Sequence, residues 1–122
     1  MADSWTIRLP YTTPPLTLNG RMHWATKARI TREVRYWVMG EAHRDIPLCD
    51  TIHVELIYVP IDKRTRDRDN LVATLKPCLD GLVGAGIVPD DSPEYVSWGP
   101  PIIAEPDRND PHLRLEITRG KR

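Results

Sequence analysis

Ile52-His53-Val54-Glu55-Leu56-Ile57-Tyr58-Val59 is followed, after Pro60 and a charged run, by Asn70-Leu71-Val72-Ala73-Thr74-Leu75-Lys76-Pro77-Cys78-Leu79-Asp80-Gly81-Leu82-Val83. In the first segment Ile52, Val54, Leu56 and Tyr58 alternate with His53, Glu55 and Ile57. A period of two gives a strand one apolar face. In the second segment Leu71, Leu75, Cys78 and Leu82 recur at spacings of four, three and four. That is the period of a helix with one buried stripe. A strand joined so closely to a helix predicts helices packed on a sheet. Pro60 ends the strand because proline has no N–H for a ladder, and Gly84 and Gly86 stop the helix.

The flanking segments extend this pattern. Trp5-Thr6-Ile7-Arg8-Leu9 alternates as a half-buried strand stopped by Pro10. Residues 10–21, with Pro10, Pro14, Pro15, Asn19 and Gly20, read as an ordered loop. From about Ala25 to His43 the pattern is helical, with Ile30, Val34, Trp37 and Val38 on one stripe. Arg29, Arg32 and Arg35 lie opposite with Tyr36 nearby, and Glu41 intrudes on the apolar face. Pro89 to Pro93 is a turn, Tyr95 to Trp98 a short strand, and Leu113 to Ile117 a final strand beyond Pro100-Pro101. The expectation is an α+β fold, a small mixed β-sheet with two packed helices, as a single domain over residues 1–122. Trp24, Trp37 and Trp98 are expected in the core or at its rim, and Arg119 to Arg122 as a frayed end.

A chain of 122 residues is large enough to hold a core without disulfides or metal. No apolar run approaches the roughly 20 residues of a membrane span. The opening Met1-Ala2-Asp3-Ser4-Trp5 does not read as a secretory leader. Cys49 and Cys78 fit neither a zinc pattern nor a disulfide framework, so a reduced, cytoplasmic setting is expected. Lys plus Arg and Asp plus Glu are 17 each, and the zero net charge speaks against a dedicated nucleic-acid coat. The charge is nevertheless segregated. Residues 1–44 hold seven basic groups against three acids, and residues 80–110 hold seven acids against Arg108 alone. Such polarity suits either a protein that grips a polyanion and binds metal elsewhere, or a dimer pairing its own charges.

The chemistry concentrates in Arg66-Asp67-Arg68-Asp69-Asn70-Leu71. In an extended segment the carboxylates of Asp67 and Asp69 point the same way. Continued as a helix, Asp69, Ala73, Lys76 and Asp80 form one polar stripe, and Asp90-Asp91 follow after a glycine turn. Converging carboxylates with one lysine are the equipment of magnesium-dependent phosphoryl transfer: Asp67, Asp69 and Asp91 as ligands, Lys76 as the cation. Plainer readings stand beside this one. Asp67 and Asp69 could pair with Arg64, Arg66 and Arg68; Asp69 or Asn70 could cap a helix; Asp90-Asp91 could be turn chemistry. Arg29, Arg32 and Arg35 could be an ordinary solvated helix face, and Tyr36 a lone surface aromatic. His53 and His112 show no ligand spacing.

These segments, with Leu75-Lys76-Pro77-Cys78-Leu79-Asp80-Gly81-Leu82 and Gly86-Ile87-Val88-Pro89-Asp90-Asp91, resemble the RusA family of Holliday junction resolvases. Pro14-Pro15, Asn19, Arg21 and His23-Trp24 are similar to that family's opening loop, and the likeness runs from about residue 5 to 117. It implies a homodimeric, magnesium-dependent endonuclease, often phage-encoded, that nicks opposing strands of four-way DNA junctions in recombination and repair. Manganese is a possible substitute metal. Asp67, Asp69 and Asp91 fall on the family's metal-binding acids, Asp90 on the neighbouring acid and Lys76 on its functional lysine. Val72-Ala73-Thr74 looks like a three-residue insertion before Lys76, which puts the lysine about one turn further along the helix. Pro77 is expected to kink that helix or to begin a new one. Arg21, Arg29, Arg32, Lys63, Arg64, Arg66 and Arg68 are the residues expected to meet DNA. The rival expectations are a junction- or DNA-binding protein without catalysis, and a metal-dependent nuclease of other branched DNA.

Overall fold

A computed structural model describes residues 3–17 and 21–120. Its strands are β1 (Ser4–Arg8), β2 (Ile52–Val59), β3 (Val96–Trp98), β4 (Ile102–Ile103) and β5 (His112–Arg119). Its helices are α1 (Trp24–Asp45) and α2 (Val72–Gly84), with a 3₁₀ turn, Arg68–Leu71, leading directly into α2. The expected α+β class is the observed one: a five-stranded mixed sheet with two helices.

β2 organises the sheet. It pairs antiparallel with β5, which in turn pairs antiparallel with the edge strand β1. Along its other side β2 takes two short parallel partners, β3 at Ile52–Val54 and β4 at Ile57–Tyr58. β4 was not anticipated from the sequence. Pro100 and Pro101 lack ladder donors, so they split what would be one strand into two short ones. Alternation works as read: Ile52, Val54, Leu56 and Tyr58 are buried together with Leu113, Leu115 and Ile117 of β5.

Both helices bring apolar stripes to this core, Val34, Val38 and Ala42 from α1 and Leu75, Cys78 and Leu82 from α2. They approach closely at Gly81. A Cβ there would lie 2.5 Å from the carbonyl oxygen of Arg35 in α1. Gly86 turns the chain after α2 with φ of 78°, a conformation open to glycine.

Several expectations need correction. Trp37 is 41% exposed, because the buried stripe of α1 is the narrow row 34, 38, 42; its indole instead donates to the Arg8 carbonyl at the rim of β1. Trp24 and Trp98 are also exposed. α2 runs from Val72 to Gly84 through Pro77, so no new helix begins after Lys76; the proline forgoes its bond to the Ala73 carbonyl. Asp69 is not on the α-helical stripe, because the 3₁₀ turn extends through Leu71. Arg119 is not frayed: its N–H bonds the Asp3 carbonyl at 2.8 Å, and the Gly120 N–H bonds Thr51 at 2.9 Å. Asn19, part of the expected opening loop, and Lys121 and Arg122 lie outside the described residues. Among the described residues no helix is long and apolar enough to cross a membrane, and Cys49 and Cys78 are free and buried.

Candidate functional site

Between β2 and α2 the chain must turn without apolar anchors, and it does so around Asp62. The Asp62 carboxylate accepts from Arg64 (2.8 Å) and Arg66 (2.9 Å). Arg66 also donates to the carbonyls of Asp62 and Arg64, at 2.8 and 2.9 Å. The Arg64 guanidinium, followed by its backbone N–H and then Arg66, holds the Asp62 carboxyl well below the usual carboxylate range. A depressed folded pKa means that this pairing persists above the ordinary carboxylate range and is lost only as pH falls below it.

Asp62 engages Arg64 and Arg66, and the next acids form no salt bridge among the described residues, with Arg68 between them unpaired as well. Asp67 caps the 3₁₀ turn, accepting the Asp69 N–H at 2.9 Å, while its carbonyl accepts the Asn70 N–H at 3.1 Å. The helix cap expected at Asp69 or Asn70 falls instead on Asp67, because the 3₁₀ turn already begins at Arg68. Pairing of Asp67 and Asp69 with Arg64, Arg66 and Arg68 is not realised among the described residues. Asp67 and Asp69 are both exposed and form no ion pair among the described residues. Buried Leu71 anchors the end of the turn.

Thr74 was passed over in the sequence. It is the one buried polar side chain among the described residues, and its hydroxyl donates to the Leu16 carbonyl at 2.7 Å. This bond ties the proline-rich loop onto α2 beside the acids. A lone threonine within a helical pattern carries no signal of such a role.

The other expected residues are spread more widely. Lys76 projects from α2 with its ammonium 5.8 Å from the ring centre of Trp98, a cation–π contact. Asp90 accepts the Ser92 N–H at 2.8 Å, and that backbone bond lowers its pKa. Asp91 lines a cleft of about 380 Å³ with Arg35, Tyr36, Asp80 and Gly84. Asp67 lines a different cavity with Asn70 and Leu71. Asp80 is eight residues past the start of α2, roughly 12 Å along the axis at 1.5 Å per residue. The helix thus holds Asp91 toward the far end from the Asp67/Asp69 pair. No group of three or more His, Cys, Asp or Glu among the described residues is placed to hold one metal ion.

The pair still fits magnesium chemically. Both groups are hard oxygen donors without a competing cation, and magnesium commonly takes one or two carboxylates with waters and substrate phosphate. Of the basic residues, Arg64 and Arg66 are engaged with Asp62, and Arg29 pairs with Glu33 at 2.7 Å. Arg21, Arg32, Lys63 and Arg68 are exposed without an ion pair among the described residues.

No protein-family model matches the chain. An uncharacterized protein of Xylella fastidiosa (strain Temecula1 / ATCC 700964) is 26% identical over 119 residues, spanning 92% of this chain and 74% of its own.

Proposed function

We propose that this protein is a homodimeric DNA endonuclease of the RusA kind, magnesium-dependent and acting in the bacterial cytoplasm on four-way junctions. The observation that carries the reading is the exposed Asp67/Asp69 pair, which forms no ion pair among the described residues while Arg64 and Arg66 are held by Asp62 and Arg68 stays unpaired between the acids. A solvated loop would pair such acids with the arginines beside them.

Asp67 and Asp69 would hold the ion, which when bound polarises the phosphate and activates a water. The cap bond orients the Asp67 carboxylate. Lys76 offers an ammonium to the added negative charge of the transition state, and Trp98 limits where that ammonium can sit. Lys63 and Arg68 attract backbone phosphate. A two-fold dimer matches the symmetry of a junction cut on opposing strands.

The test is cleavage of a labelled four-way junction with and without magnesium, in competition with linear duplex, flaps and forks, alongside light scattering. Magnesium-dependent paired nicks on the junction by a dimer are expected. Preference for flaps or forks would replace the substrate, and absence of any cleavage would remove the nuclease reading. The second reading, a junction binder without catalysis, is favoured by the separation of Asp91 from the other acids. Binding without cleavage in any divalent metal would establish it.

A further inference from the structure

The cavity beside Asp67 measures about 290 Å³, at the small end for ligand pockets. Pro14, Leu71 and Ile103 supply apolar walls, and Tyr58, Thr65 and Asn70 bring hydrogen-bonding groups to it. None of those three side chains has a hydrogen-bond partner among the described residues. Arg66, the one cation in the lining, is only 20% exposed and is held by Asp62 and two loop carbonyls. Its guanidinium lies 5.8 Å from the Tyr58 ring centre.

This lining disfavours phosphate, since no cation is free and a carboxylate stands in the wall. It favours a small planar ligand that is apolar on its faces and polar on its edge. We propose that the cavity receives a single unpaired nucleobase of the DNA substrate, with the Asn70 amide, a donor and an acceptor in one plane, bonding its edge. The proposal rests on the nuclease reading. A branch point lowers the cost of extruding such a base, because the continuous stacking of the duplex is interrupted there. Asp67 belongs both to this wall and to the acid pair, so a base seated here places its own phosphodiester at the acids.

The experiment uses the full chain and four-way junctions carrying 2-aminopurine at each branch position in turn, bound without metal. A fluorescence change is expected on binding at one position and its symmetry mate. Thr65→Trp, which fills the mouth from an exposed loop, should abolish that change. Asn70→Ala should weaken junction binding about tenfold, the order expected for one lost hydrogen-bonded edge. Asn70 has no side-chain partner to lose, so this variant keeps the test alive should Thr65→Trp fail to fold. A junction that is bound and cut with no fluorescence change at any branch position overturns the base pocket and leaves the nuclease reading standing. So does a signal and affinity unchanged in the variants. A chain that neither binds nor cuts junctions overturns both.

Discussion

The uncovered face of the sheet and the 3₁₀ turn at Arg68–Leu71 are both exposed and both charged, yet they handle charge in opposite ways. On the sheet Glu116 accepts from Thr6 and from Arg114, each at 2.8 Å. Arg8 pairs with Asp110, and His53 bonds Ser97 at 2.7 Å. Each of these polar groups has a protein neighbour on the face that the sheet turns to water. At the turn Asp67, Arg68 and Asp69 are equally exposed and have no salt bridge, although arginines stand within reach along the chain. The paired charges brace the sheet, whereas those of the turn stay unpaired beside an available partner.

The sharpest way to break this contrast is to neutralise one acid in each region. Asp67→Asn or Asp69→Asn should abolish junction cleavage while binding persists or tightens, because the basic residues remain and repulsion of phosphate falls. Glu116→Gln should leave cleavage intact and lower stability by no more than about 1 kcal/mol, as exposed pairs do. Equal effects of the two changes on cleavage would erase the distinction.

Lys76→Ala probes how far the reactive region extends along α2. The cleavage rate should fall roughly 10²-fold with little change in junction affinity, the order of one lost transition-state donor. Lys76→Arg should rescue poorly, since a planar fork replaces a compact ammonium. A wild-type rate in Lys76→Ala would confine the site to the 3₁₀ turn.

Gly81→Ala tests the scaffold that supports both regions. The added methyl meets the Arg35 carbonyl, so thermal unfolding should report a loss of about 1–3 kcal/mol. The smallest effect is expected on the sheet. Glu55 lies directly across from Glu116 in the β2–β5 register, and Glu55→Gln should stabilise by a few tenths of a kcal/mol up to about 1. A loss of stability there would mean that His53, 3.7 Å from Glu55, contributes more than the like charges oppose.

Much of the fold was legible. β2 follows from strict alternation ended at Pro60, and α2 from Leu71, Leu75, Cys78 and Leu82 followed by glycine. The boundary of α2 was less so. A 3₁₀ turn and a first α-helical turn place apolar residues at similar spacings, so nothing in the sequence shows where Asp69 leaves the helical stripe. β4 was hidden because two residues are too few to display a period. The acid pair was visible as a motif, but its lack of ion pairs was not, because Arg64, Arg66 and Arg68 are all close enough in sequence to neutralise it.

What the sequence determined by itself is local: which segments are strands or helices, which faces they bury, and that a helical element follows the Asp67/Asp69 pair. Periodicity and capping act over a few residues, so the order of residue types carries them directly. The tertiary structure alone decided that Asp62 holds Arg64 and Arg66, that Thr74 binds the proline loop, and that Asp91 lies beside Asp80 in another cleft. Each depends on where a long side chain or a distant segment comes to rest. Sheet register and helix crossing set those positions, and Gly81 allows the crossing its close approach.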